Sequence, residues 1–309
     1  MTTAATDLNG TDRREHVPVM VAEVVELLSV PHPRVVIDAT LGTGGHAAAI
    51  LDANPDATLI GLDRDVDAIE AARQRLESFA DRIKLVHSDF AEIESAARSA
   101  GHDNADAILA DLGMSSFALD DPSRGFSFRA DGPLDMRMDR NSPIRAYDIV
   151  NEESEAELAR IIYEYGEERM SRRIARMIVE ARRRAPIETT GALRAIIERA
   201  VGGRRTGIHP ATRTFQALRI AVNREMESLA ALLERAPRML NPGGRLAVIS
   251  YHSLEDRAVK ETFRALAHSG EFHMVSAKVI KPSPREIAHN PRARSARIRC
   301  LEREGGKAS

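Results

Sequence analysis

Four short apolar runs in the first third of the chain, each followed by a stretch of helical length, restrict its fold more than any other feature. Residues 34–38 (RVVID), 57–62 (ATLIGL), 83–87 (IKLVH) and 106–110 (DAILA) are short, apolar and bounded by turn residues, the mark of buried strands. Residues 45–53, 65–78 and 91–99 lie between them and read as helices. A strand-helix alternation of this kind implies an α/β fold with a mostly parallel sheet and helices on both faces.

Beyond the fourth run the alternation stops. Residues 125–139 (GFSFRADGPLDMRMD) read as an ordered loop, and a long non-periodic loop in a compact protein usually serves function. Ser154 with Glu157 forms a capping-box pattern that opens an all-helical region, with helices near 154–164, 167–184 and 190–201. One further helical pattern runs from 214 to 240 and is stopped by Asn241-Pro242-Gly243-Gly244. Strand patterns then return at 245–250, 273–280 and 296–301. The chain therefore divides into a disordered tail at 1–15, an α/β domain made of 16–115 and 215–309, and an inserted helical domain at 116–214. A length of 309 residues accommodates this.

Charge separates these parts. Residues 160–224 carry fifteen Arg against six Glu, and 281–299 add a further local excess of +5, although the whole chain has a net charge of only −2. One basic face on an acidic body suits an anionic polymer such as a nucleic acid. Solvated helix faces with local Arg–Glu pairs are the plainer reading of the same numbers. No run approaches the roughly 18 residues that cross a bilayer, and the first fifteen residues are polar, so neither a membrane span nor a secretion signal is read. The sole cysteine, Cys300, excludes an internal disulfide and a multi-cysteine zinc site, which fits a reducing cytoplasm.

Residues 35–51 (VVIDATLGTGGHAAAIL) place Gly42, Gly44 and Gly45 between the first strand and the first helix, where backbone N–H groups can approach a ligand. Asp63 follows at the end of the second strand, where an acid holds ribose hydroxyls. NAD and S-adenosylmethionine both fit that much. Asp38 separates them, because an acid before the glycines would repel a pyrophosphate but balance a cationic amino-acid moiety. Phe90 follows the third strand, where an adenine would lie, although a core role serves it equally well. The fourth strand ends in Asp111-Leu112-Gly113-Met114-Ser115-Ser116, at the edge where the reacting group belongs. No phosphate-binding P-loop, H-E-x-x-H or G-x-S-x-G pattern is present, and no two His are spaced i, i+4, so no metal is expected.

These segments, with RGFSFRADGPLDMRMD (124–139), YGEER (165–169), HPATRTFQALRI (209–220), NPGGRLAVISYHSLEDR (241–257) and NPRARS (290–295), resemble the ribosomal RNA small subunit methyltransferase H family from about residue 16 to 299. The resemblance implies a class I methyltransferase fold with a helical insertion and S-adenosylmethionine as donor. The acceptor it implies is the exocyclic N4 amine of a cytidine in 16S rRNA of the small ribosomal subunit, at the decoding centre. It assigns cofactor contacts to Gly44, Gly45, His46, Asp63, Phe90 and Asp111. It also implies one at Ala118, where the family carries Gln, so only a backbone or van der Waals contact survives there.

The residues support the same chemistry. A cytosine amine is a weak nucleophile, and its N–H groups need acceptors as nitrogen becomes tetrahedral. Asp111 and the Leu112 carbonyl are placed for that, with Ser115, Ser116 and His252 as secondary candidates for orienting the base. The arginines between 169 and 184, with Arg204 and Arg205, would grip phosphates while folded RNA shape supplies selectivity. A homodimer is compatible with this reading. The rival readings are a DNA amino methyltransferase, a non-catalytic assembly factor on the same fold, and an NAD-dependent oxidoreductase.

Overall fold

The computed structural model describes residues 18–30, 32–114, 119–202, 207 and 209–305. Strands β1 (Val35–Asp38), β2 (Thr58–Asp63), β3 (Ile83–His87), β4 (Ala105–Asp111), β5 (Leu240–Ser250), β6 (Phe272–Met274) and β7 (Arg297–Arg303) form one sheet in the order β3-β2-β1-β4-β5-β7-β6. The strands β3, β2, β1, β4 and β5 are mutually parallel, and β7 runs antiparallel to both β5 and β6. The mostly parallel sheet expected from the sequence is therefore present, with one reversed strand.

Helices α1 (Val21–Leu28), α2 (Gly45–Ala53) and α3 (Val66–Arg75) pack on one side, and α4 (Ile93–Ser99) on the other. Alternate strand residues explain this: Val36, Leu59 and Leu109 face Leu28, Ile50 and Leu51, whereas Ile37, Ile60 and Ile108 face the opposite layer with Leu229 and Phe263. Burial on both faces is why these strands read as continuous apolar runs. Parallel register brings the C-terminal ends of β1, β2, β3 and β4 to one edge, and with them Asp38, Asp63, His87 and Asp111.

A separate helical cluster follows. It holds α5 (Ala146–Glu152), α6 (Glu155–Glu164), α7 (Ser171–Arg182), α8 (Thr190–Val201) and α9 (Ala211–Asn223), packed through Leu158, Ile162, Ile174, Leu193, Ile197 and Leu218. Ser154 caps α6 by accepting from Glu157 N at 3.1 Å. Because α9 is continuous past residue 214, Phe215 and Val222 also belong to this cluster. The remaining helices, α10 (Glu225–Arg235), α11 (Ser253–Ser269) and α12 (Pro284–His289), return to the sheet. Among the described residues no helix is long and apolar enough to cross a membrane.

Three expectations from the sequence are corrected. The pattern at 214–240 is not one helix, because Arg224 adopts φ +50 between α9 and α10. The break has a tertiary cause: Asn223 Nδ2 donates to the Met136 carbonyl, its Oδ1 accepts from Met138 N, and Arg64 donates to its carbonyl, each at 2.8 Å. The strand expected at 245–250 begins at Leu240, where a register shift against Ala105 and Ala107 absorbs Gly243 at φ +79. The strand expected at 273–280 shortens to β6, and Ile280 keeps only an isolated bridge to Ile298. The tail at 1–15, Ser115, Ser116, Ala118, Arg204 and Arg205 lie outside the described residues.

Candidate active site

A cleft of about 360 Å³ opens at the C-terminal edge of the sheet, within the roughly 300–1,000 Å³ of ordinary ligand sites. One end is formed by the turn between β1 and α2. Gly42 N donates to Asp63 Oδ2 at 2.8 Å and Asp65 N to Asp63 Oδ1 at 2.9 Å, so each oxygen keeps a lone pair for another donor. Burial raises the Asp63 carboxyl above its ordinary range. Gly45 is a cradle for Pro18: a Cβ there would lie 2.3 Å from the Pro18 ring. Gly44 does not line the cleft and packs instead on Leu76 and Ala72 at φ +78.

Phe90 lines the same end with the Arg64 guanidinium 5.5 Å from its ring centre. Arg64 is held by Asp89 at 2.6 Å. Phe90 also packs on the core, so its two sequence-level readings describe two faces of one ring. Asp38 lies beneath the cleft floor, 1% exposed, with Oδ1 accepting from Thr40 N at 3.2 Å and Oδ2 unpartnered. Burial pushes its carboxyl up to about 7 against the opposing pull of His46.

Asp111 stands at the middle. Its backbone N donates to Thr40 Oγ1 at 2.6 Å, and Oδ1 accepts from Gly113 N at 3.1 Å. His46 Nε2 donates to the Val19 carbonyl at 2.8 Å, which turns Nδ1 toward Asp111 Oδ2 at 3.8 Å. Tyr251, directly after β5, lies beside the Asp111 carboxylate, and burial next to that charge keeps its hydroxyl protonated well above the usual range. A Cβ on Gly113 would stand 2.7 Å from the Tyr251 ring, so glycine is what admits the tyrosine.

The far end is polar. Arg219 grips Glu225 through two hydrogen bonds of 2.8 Å, and Glu255 Oε2 accepts from the backbone N–H of Tyr251 at 2.8 Å. His252 does not line the cleft. It caps α11, its Nδ1 accepting from Glu255 N at 3.4 Å while Nε2 sits 3.0 Å from Glu255 Oε1, out of line for a hydrogen bond. Glu225, His252 and Glu255 offer ligand atoms within 4.8 Å of one another, the spacing of a cation site. All three already have other work, in the Arg219 pair and the α11 cap.

The sequence thus brings Gly45, His46, Asp63, Phe90 and Asp111 into one cleft. Sequence reading missed Tyr251, Arg219, Glu225 and Glu255. A usable signal existed for Arg219: α9 is buried around most of its circumference, so a charged residue at its centre requires a partner.

A sequence profile described as the MraW methylase family matches residues 13–304. The ribosomal RNA small subunit methyltransferase H of Cutibacterium acnes is 48% identical over 319 residues, covering 97% of this chain and 94% of its own. Its namesake from Cyanothece is 51% identical over 288 residues, covering 93% and 94%, and that from Sorangium cellulosum 51% over 293 residues, covering 94% and 92%.

Proposed function

Because the chain belongs to the MraW methylase family, we propose that it transfers a methyl group from S-adenosylmethionine to the N4 amine of a cytidine in 16S rRNA, within the small ribosomal subunit and in the cytoplasm. The observation that carries this reading is the Asp111 carboxylate, held by Gly113 N in the same cleft as an acid, Asp63, with free lone pairs. The lone pairs of Asp63 suit the ribose hydroxyls of such a donor, and Asp38, buried behind the Ala39 and Thr40 lining, would act on its ammonium through charge and not through contact.

The donor supplies an activated sulfonium methyl, so the transfer itself needs no metal. The chain's residues do the rest. Asp63 and the backbone around Gly42 orient the nucleoside end, and Phe90 covers it. Asp111 and the Leu112 carbonyl accept hydrogen bonds from the two amine N–H groups and align the nitrogen lone pair, and the Asp111 carboxylate takes the proton that nitrogen loses as it gains its bond to the methyl carbon. Nucleoside mass mapping of small-subunit RNA from cells with and without this protein tests the reading. Loss of one N4-methylated cytidine supports it, and an unchanged modification pattern defeats it.

Donor affinity should depend on pH through Asp38. Its carboxyl is neutral below about 7 and ionised above, facing His46, Asp111 and Asp63. An ammonium beside it favours the ionised form, so affinity should rise between about pH 6 and pH 8 and then level. In the unbound protein the sign is reversed: burial disfavours the ionised form, so stability falls as pH climbs from the ordinary carboxylate range through 7. Calorimetric titrations of wild type and Asp38→Asn should differ, with the variant flat across that range. A parallel rise in both would remove Asp38 from the site.

The helical cluster, the inserted domain of the sequence reading at 116–214, serves as the RNA grip. Arg182 is not available for it, since it donates to the Val150 and Glu153 carbonyls at 2.7 and 2.6 Å and closes the end of α5. Arg172, Arg173 and Arg176 are exposed on α7. Reversing these three to Glu should weaken subunit binding and flatten its log–log salt dependence by about 2–3 units, leaving donor affinity alone. Filter binding over a salt series measures this, and an unchanged slope would place the RNA elsewhere.

A further inference from the structure

The polar wall at the far end of the cleft is not used by the donor contacts. Arg219 binds both Glu225 oxygens through Nε and Nη2, and Nη1 makes no hydrogen bond to any described residue. Both side chains line the cleft, and that of Arg219 is 20% exposed. Burial opposes the Arg219 charge, but Glu225 and then Glu255 more than offset it and keep the guanidinium firmly protonated. Glu255 in turn holds Tyr251 N, and Tyr251 and Asp111 line the same cleft, with a Cβ on the intervening Gly113 meeting both the Tyr251 ring and Asp111 Oδ1. Asp111, Tyr251, Glu255, Arg219 and Glu225 all line the one cleft. This lining joins hydrogen-bond acceptors at Asp111 to a fixed, partly free donor at Arg219.

We propose that Arg219 is the residue that reads the acceptor base as cytosine, donating from Nη1 to ring N3 and O2 while Asp111 and the Leu112 carbonyl hold the N4 amine. The inference rests on the reading of this cleft as a cytidine N4 methyltransferase site. A cytosine edge presents a donor, then two acceptors, which complements this lining. Uracil sets its O4 acceptor against Asp111 and its N3–H against Arg219, so the carboxylate loses its donor and the guanidinium keeps only O2, at a cost. Adenine offers the amine and a ring acceptor but has a C–H where cytosine has O2. Met114, Leu119 and Met138 line the same cleft and supply apolar surface for the base faces. The bidentate hold of Glu225 fixes the plane of the guanidinium, so its direction is set before the base arrives. A purely structural Arg219–Glu225 pair bridging the break at Arg224 would be indifferent to the chemistry of the base.

The ligand itself can carry the test, so no variant need fold. Cytidine 5′-monophosphate, its 3-deaza analogue and uridine 5′-monophosphate are compared as inhibitors of wild-type methylation of unmodified small subunits. The cytidine nucleotide should inhibit roughly 10- to 100-fold better than either of the others. In Arg219→Lys, which keeps the charge but not the fork, that gap should close to about threefold or less while donor affinity holds. Equal inhibition by all three with wild type, including none by any, overturns the proposal, as does an undiminished gap in Arg219→Lys. Failure of wild type to methylate cytidine N4 in the same assay would instead overturn the functional reading beneath it.

Discussion

Replacing Asp111 by Asn is expected to slow single-turnover methylation by about two orders of magnitude, about 3 kcal/mol of lost transition-state stabilisation, with donor affinity nearly unchanged. The amide is isosteric and keeps one carbonyl oxygen, so the Gly113 N–H at 3.1 Å retains its acceptor. What changes is the second atom, which becomes a donor. It then faces His46 Nδ1, which can accept, and the incoming amine, which cannot. The fold has no reason to suffer, since the backbone N–H of Asp111 is still held by Thr40 at 2.6 Å.

The competing role is that Asp111 binds the donor, and the same variant distinguishes the two. Quenched-flow rates and a calorimetric titration on one preparation should show the rate falling and the dissociation constant holding. A collapse in affinity with the rate constant preserved at saturation would make the carboxylate a binding group. His46 then becomes the more interesting neighbour, because its Nδ1 is the only ring nitrogen free to face Asp111.

The parts of this molecule legible in its sequence are those whose cause is local. The apolar runs that became β1, β2 and β4 are buried on both faces, and the turn glycines announce a left-handed backbone turn, which Gly42 at φ +53 and Gly44 at φ +78 adopt. Parallel register then delivers Asp63 and Asp111 to one edge without further information. The break at Arg224 was illegible because neither glycine nor proline marks it. The backbone carbonyl of Met136, 87 residues away in the chain, and the backbone N–H of Met138 hold the Asn223 side chain and end the helix. The polar wall was hidden for the same reason. Arg219 and Glu225 lie on either side of that break, and only the fold brings them beside Tyr251 and Glu255.

Arg124→Met should destabilise the protein by about 3–5 kcal/mol, as large a loss as truncating a fully buried core side chain. Arg124 is 3% exposed, and its Nη2 contacts Asp65 Oδ2 at 2.9 Å and the carbonyls of Arg137 and Met138 at 3.1 and 2.9 Å. Asp65 is itself buried and caps α3 by accepting from Asp67 N at 3.1 Å, while its own N–H is held by Asp63. One guanidinium thus ties the loop at 124–139 to the strand end that carries Asp63. Removing it leaves a buried carboxylate without its cation and three acceptors short of a donor. The size of the loss should come from the stranded charge more than from the missing contacts, which gives a sharper test. Asp65→Asn keeps a good helix cap, so Arg124→Met combined with Asp65→Asn should recover part of the stability lost by Arg124→Met alone. Urea melts of the two singles and the double decide it. A double variant no more stable than Arg124→Met would mean that the loop carbonyls, and not the Asp65 charge, are what Arg124 is there to hold.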